Sequence, residues 1–213
     1  MAETSKVYSQ REELLNVVIH GVGVVGAIAG IIRLLMCRQP LNSALMMAAA
    51  LFYGVSLLQM FAVSTCYHNS VAPKTRQFFR HLDHCSIYFL ITGSYAPLLC
   101  MFARNITGVV IFSLLISGSV AGCAARIAGF KYLRKLEITL YIIMGWCCVS
   151  IAGNLIRGMT MPQLVLLLSG GISYTAGVVF YVKKREFCHA IWHIFVLAGA
   201  ALQFFAISGV LDL

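Results

Sequence analysis

Leu14–Met36 reads LLNVVIHGVGVVGAIAGIIRLLM, and this stretch decides the fold. Its one charged residue, Arg33, stands near its end. Crossing the hydrocarbon core of a bilayer takes about 20 predominantly apolar residues. The stretch is long enough to cross, and too long for the apolar core of a cleaved signal, which runs about 7–15 residues. Residues 1–13 hold Glu3, Glu12 and Glu13 beside Lys6 and Arg11, which is not the purely basic lead of a signal peptide. Leu14–Met36 is therefore expected to remain as a first membrane span, behind a short N-terminal segment.

Working outward, six more apolar runs follow, and the spans are predicted at 14–36, 41–67, 83–103, 107–126, 136–156, 162–182 and 188–211. Arg38-Gln39-Pro40 separates the first two. Asn69 to Leu82, with Pro73, reads as the longest connection. Arg104-Asn105, Arg126 to Lys135, Arg157 to Met161 and Lys183-Lys184-Arg185 mark the others. Pro162 opens the sixth span, where its missing N–H costs nothing, and Pro97 is expected to kink the third. The expected fold is all-α, a seven-transmembrane helix bundle in one integral membrane domain, 1–213. Composition agrees: 60% of the 213 residues are hydrophobic and 11% charged, against about 45–50% and about 25% in soluble domains. That balance excludes a soluble domain, a disordered chain, a nucleic-acid-binding domain and a secreted disulfide scaffold.

The net charge of +9 then speaks of orientation rather than nucleic acid. Twelve of the 16 Lys and Arg fall on the side of the N-terminus; Arg33, Arg38, Arg104 and Arg157 fall on the other. The positive-inside rule puts the N-terminus in the cytoplasm and the C-terminus outside. The eight cysteines, Cys37, Cys66, Cys85, Cys100, Cys123, Cys147, Cys148 and Cys188, form no CxxC and read as small buried hydrophobes. Gly26-Ala27-Ile28-Ala29-Gly30 and Gly118-Ser119-Val120-Ala121-Gly122 fit GxxxG and read as helix-packing seams.

All six histidines, His20, His68, His81, His84, His189 and His193, map toward the cytoplasmic end. His189 and His193 stand four apart, so a helix stacks both imidazoles on one face. Such a pair offers two nitrogens to one Zn²⁺, or is simply interfacial histidine. His68 at the same depth offers a third nitrogen, leaving a fourth position for water, as in catalytic zinc sites. Ser64, one turn deeper than His68, either hydrogen-bonds back to its own helix or aims a donor at the site. Asp83 is the one acid at this border flanked by histidines. It can cap the third helix or take a proton from an attacking water. Glu137 and Glu186 stand among loop cations and read as solvated. Cys66 and Cys188 lie close in sequence but about 100° per residue off the histidine faces.

These residues resemble the hemolysin III family, within the progestin and adiponectin receptor superfamily. The resemblance spans Glu12-Glu13-Leu14-Leu15-Asn16 with His20-Gly21, Ser64-Thr65-Cys66-Tyr67-His68, Leu82-Asp83-His84-Cys85-Ser86-Ile87-Tyr88 and Gly93-Ser94-Tyr95-Ala96-Pro97. It continues through Tyr141-Ile142-Ile143-Met144-Gly145-Trp146, Gly170-Gly171-Ile172-Ser173-Tyr174-Thr175-Ala176-Gly177 and His189-Ala190-Ile191-Trp192-His193. Gln203 stands where many relatives carry a histidine. The resemblance implies seven spans and one Zn²⁺ near the inner leaflet, held by His68, His189 and His193. It implies catalytic roles for Ser64 and Asp83, the latter addressing the zinc water. It also implies a short bacterial-type member residing in the inner membrane.

Three functions follow as alternatives. One is a zinc-dependent hydrolase of lipid amides or esters serving membrane lipid homeostasis, with membrane lipids as partners and no nucleic acid. Another is a cytolysin or pore, against which the scarcity of polar residues within the spans counts. The third is a receptor or sensor with a structural zinc.

Overall fold

The computed structural model describes residues 8–183 and 185–213. Among them the elements are helical and no strand occurs. The helices are α1 (Gln10–Leu35), α2 (Arg38–Asn42), α3 (Ala44–Asn69), α4 (Pro73–Phe102), α5 (Ile106–Ile127), α6 (Lys131–Gly145), α7 (Ala152–Gly158), α8 (Met161–Val182) and α9 (Cys188–Leu211). A 3₁₀ segment, Trp146–Ile151, joins α6 to α7. Seven spans are long and apolar enough to cross a membrane, Leu136–Gly158 counting as one across that join. The seven-transmembrane all-α bundle is thus what the chain forms.

Polar side chains at the ends satisfy backbone N–H groups that a helix leaves unpaired. Ser9 caps α1, Ser43 caps α3 and Asn105 caps α5. Gln163 Oε1 accepts from the Thr160 N–H at 2.8 Å where α8 begins. α4 lies at the centre, packed on α3, α5 and α9 and touching α6 and α7. α1 and α3 run antiparallel. Asn16 lies beside His68, a Cβ on Gly23 would meet the Phe61 ring, and one on Gly54 would meet Ile31.

Four expectations need correction. The stretch from Asn69 to Leu82 is not a long connection, because α4 starts at Pro73. Hydropathy marks where hydrocarbon begins, whereas this helix continues beyond it. Pro73 fits the first helical turn, where its N–H is dispensable. Arg76 then fastens the extension by donating to Ser70 O at 3.2 Å and lying over the Tyr67 ring at 4.7 Å. For the same reason Asp83 is no helix cap: it lies inside α4. Glu137 is not solvated. α6 begins at Lys131, and Glu137 faces inward at 5% exposure, accepting from Arg126 Nη1 at 3.0 Å and lying 3.1 Å from His84 Nδ1.

The fifth span is also not one continuous α-helix. The 3₁₀ turn frees backbone groups that lipid cannot satisfy. Tyr95 of α4 supplies them: its hydroxyl donates to Gly145 O at 2.7 Å and accepts from the Cys148 N–H at 2.8 Å. α4 itself runs on past Pro97 to Phe102.

Candidate metal centre

α1 is apolar on most of its surface, yet its inward face reads Glu12, Asn16, His20, Gly23, Ala27, Gly30 and Leu34. That spacing is one helical stripe. Its polar half meets the end of α3 and the start of α9, where three ligand-type nitrogens converge. Those of His68, His189 and His193 all lie within 4.8 Å of one another. His68 Nε2 and His193 Nε2 are 3.1 Å apart. Two nitrogens bound to one tetrahedral zinc at about 2.0–2.1 Å would stand roughly 3.3 Å apart.

The chemistry of the donor set fits a dication. His68 Nδ1 donates to Glu13 Oε2 at 2.7 Å. A proton held on Nδ1 leaves the Nε2 lone pair for a metal, and carboxylate support of this kind is the usual outer shell of a metal histidine. The Asn16 amide lies 3.3 Å from the same nitrogen, and Arg76 pairs with the other oxygen of Glu13. Tyr8 stacks on the His189 ring, centroids 4.7 Å apart at 20°. Burial pushes its phenol well above its ordinary range.

Ser64 is fully buried, and its Oγ has no hydrogen-bond partner. Its neighbour Thr65 bonds back to its own helix, to Phe61 O at 2.8 Å, and Ser64 makes no such bond. Ser64, Asp83, His84, His20, His189 and His193 all line one cavity of about 840 Å³. Beyond this polar end its wall is largely apolar, including Leu98, Leu155, Leu164 and Val196. The structure thus groups His68, His189 and His193, and sets Ser64 and Asp83 on the wall of the adjoining cavity. His84 is engaged with Glu137, and no cysteine belongs to the cluster among the described residues.

Sequence reasoning missed Glu13 and Tyr8. Glu13 sits beside Arg11 and Glu12 in what reads from the sequence only as a short N-terminal segment ahead of the first span. Its signal was the spacing Glu13, Asn16, His20, three polar residues on one side of an apolar helix, which in lipid asks for a partner.

The comparisons with known proteins bear on this arrangement. The model of the Haemolysin-III related family matches residues 8–204. A protein called Hemolysin-3 from Bacillus cereus is 34% identical over 198 residues, covering 92% of this chain and 90% of its own. The Hemolysin-3 homolog of Bacillus subtilis is 32% identical over 202 residues, covering 94% and 95%. The human Monocyte to macrophage differentiation factor is 30% identical over 170 residues, covering 74% and 68%.

Proposed function

This chain belongs to the Haemolysin-III related family, and on that premise we propose that it is a zinc-dependent hydrolase of lipid amide or ester bonds. The observation that carries this reading is the triad of His68, His189 and His193 beside a largely apolar cavity of about 840 Å³. His68, His189 and His193 would hold the ion. Bound there, Zn²⁺ supplies Lewis acidity and lowers the pKa of a coordinated water to about 7.

The protein's own groups do the rest. Glu13 keeps the proton of His68 on Nδ1, and Tyr8 stacks over His189. The Asp83 carboxylate takes a proton from the attacking water and returns it to the leaving amine or alcohol. Ser64 Oγ offers its hydrogen to the acyl oxygen. The apolar wall takes the acyl chain and keeps bulk water out. On this reading membrane lipids are the partners and nucleic acid is none. The reading places the chain in a bacterial inner membrane, and the excess of cations at the histidine-bearing end supports setting that end in the cytoplasm.

The test begins with metal analysis of the full chain purified without chelator, followed by a screen of lipid amides and esters. One zinc, or a similar divalent ion, per chain is expected. Asp83→Asn should keep the metal and lose activity by roughly 10²–10⁴-fold. Ser64→Ala should cost about 0.5–1.5 kcal/mol in the barrier, as for one hydrogen bond. A wild type without stoichiometric metal refutes the proposal. An Asp83→Asn chain that loses its metal would make Asp83 a ligand or a fold determinant. A chelator separates the alternatives: hydrolysis stops, a structural site loses stability, and the cytolytic action suggested by the relatives' names continues as before.

A further inference from the structure

We infer that His20 is the hydrogen-bond partner of His193, holding that imidazole with its proton on Nδ1 and its Nε2 lone pair turned to the metal. This rests on the metal site proposed above, and adds to it a second positioning residue from α1, the helix that also supplies Glu13.

The observations are a set of orphans. His193 is 3% exposed, and its Nε2 faces His68 Nε2 at 3.1 Å. Its Nδ1 is buried with no hydrogen-bond partner. An imidazole that gives one nitrogen to a metal carries its hydrogen on the other, and metal-binding histidines almost always donate that hydrogen to an acceptor. An N–H left bare at this depth loses the hydrogen bond that water would have given it.

The ring lying against His193 is His20, at 4.0 Å between centroids and 73° between planes. His20 is 2% exposed, and neither of its nitrogens has a hydrogen-bond partner. A neutral imidazole has one acceptor nitrogen and one N–H. The inferred bond requires the His20 ring to turn about its Cβ–Cγ bond so that its acceptor nitrogen meets His193 Nδ1, and it would remove one orphan from each residue. Both rings and Ser64 share the wall of the cavity.

The helix register makes this specific. Along the antiparallel pair of α1 and α3, Asn16 lies level with His68 and Gly23 with Phe61. His20 and Ser64 therefore share the rung between. α1 supplies Glu13 to His68 on one rung and His20 to His193 on the next. Packing alone explains neither histidine, because an apolar ring in place of His20 would fill the same space without burying two polar atoms.

The experiment is zinc competition against a chromophoric chelator, with the full chain in detergent. It is paired with the visible spectrum of the Co²⁺-loaded protein. His20→Phe preserves volume and removes the acceptor. It should lower zinc affinity about 10–100-fold, the usual loss for an outer-shell partner, and shift the Co²⁺ bands. His20→Gln restores an acceptor and should recover most of the affinity. His20→Met replaces His20→Phe if the latter does not fold. Wild-type affinity and an unchanged spectrum in the Phe or Met variant would overturn the inference. So would an equal loss in His20→Gln, which would make the effect one of packing. A wild type that binds no metal overturns the hydrolase reading and this inference together. Metal bound equally by all variants overturns this inference alone.

Discussion

At the scale of single residues, the position of one proton on each imidazole decides whether three histidines can share an ion. Glu13 Oε2 lies 2.7 Å from His68 Nδ1 and holds the proton there. Glu13→Ala should therefore lower zinc affinity about 10–100-fold, read by competition titration, while α1 still inserts. Unchanged affinity would show that this pairing has no bearing on the metal. His189 and His193 were legible because four residues on a helix is one turn. His68 and Ser64 were legible by the same spacing on another helix. Glu13 was not, because its partner lies 55 positions away and local sequence has no term for that. Nor was the backbone of Phe187, which enters α9 at φ 61° in the left-handed region, two residues before the first histidine of the pair.

At the scale of elements, the two GxxxG motifs prove half right. A Cβ on Gly30 would stand 2.9 Å from the Phe204 ring, and one on Gly122 would stand 2.3 Å from the Tyr88 ring. Gly26 has nothing within 4 Å, and Gly118 has ordinary contact with Met144. The tight approach of α1 to α3 is instead at Gly23, where a Cβ would fall 2.3 Å from Phe61. Gly23→Ala should destabilise the bundle by about 1–3 kcal/mol through overpacking. Gly26→Ala should be neutral, or stabilising by up to about 1 kcal/mol from helix propensity. Thermal unfolding in detergent separates them, and equal effects would contradict this packing. Tyr95 offers a second element-level test. Tyr95→Phe strands Gly145 O and the Cys148 N–H at the break in the fifth span. A loss of about 1–3 kcal/mol is expected for these groups, with the break itself loosened. An unchanged melting temperature would show that the 3₁₀ turn does not depend on this hydroxyl.

At the scale of the whole molecule, seven spans predict that the two chain ends lie on opposite sides of the membrane, and the cation count predicts which end is cytoplasmic. Reporter fusions after Lys183 and after Leu213 should report cytoplasm and exterior, respectively. Reports from the same side would undo the seven-span topology and the common depth of the histidines. The bundle also carries a second polar cluster at the histidine-bearing end, where Arg126 and His84 meet Glu137. It joins α4, α5 and α6 and occupies His84, which separates that histidine from the triad despite its nearness in sequence to Asp83.

The sequence by itself determined the class of fold, the number of spans, the sense of the charge bias and the identities of the three converging histidines. Each of these depends on a local quantity: apolar length against bilayer thickness, cation placement, or spacing of one turn along a helix. Only the tertiary structure decided that Glu13 serves His68, that Glu137 is buried, that Tyr95 bridges the fifth span and that His20 lies against His193. Those outcomes depend on which helix faces which and at what register. In lipid, where apolar faces are interchangeable as far as solvent is concerned, register is set by close packing at glycines such as Gly23 and by buried polar pairs. Neither can be read before the helices meet.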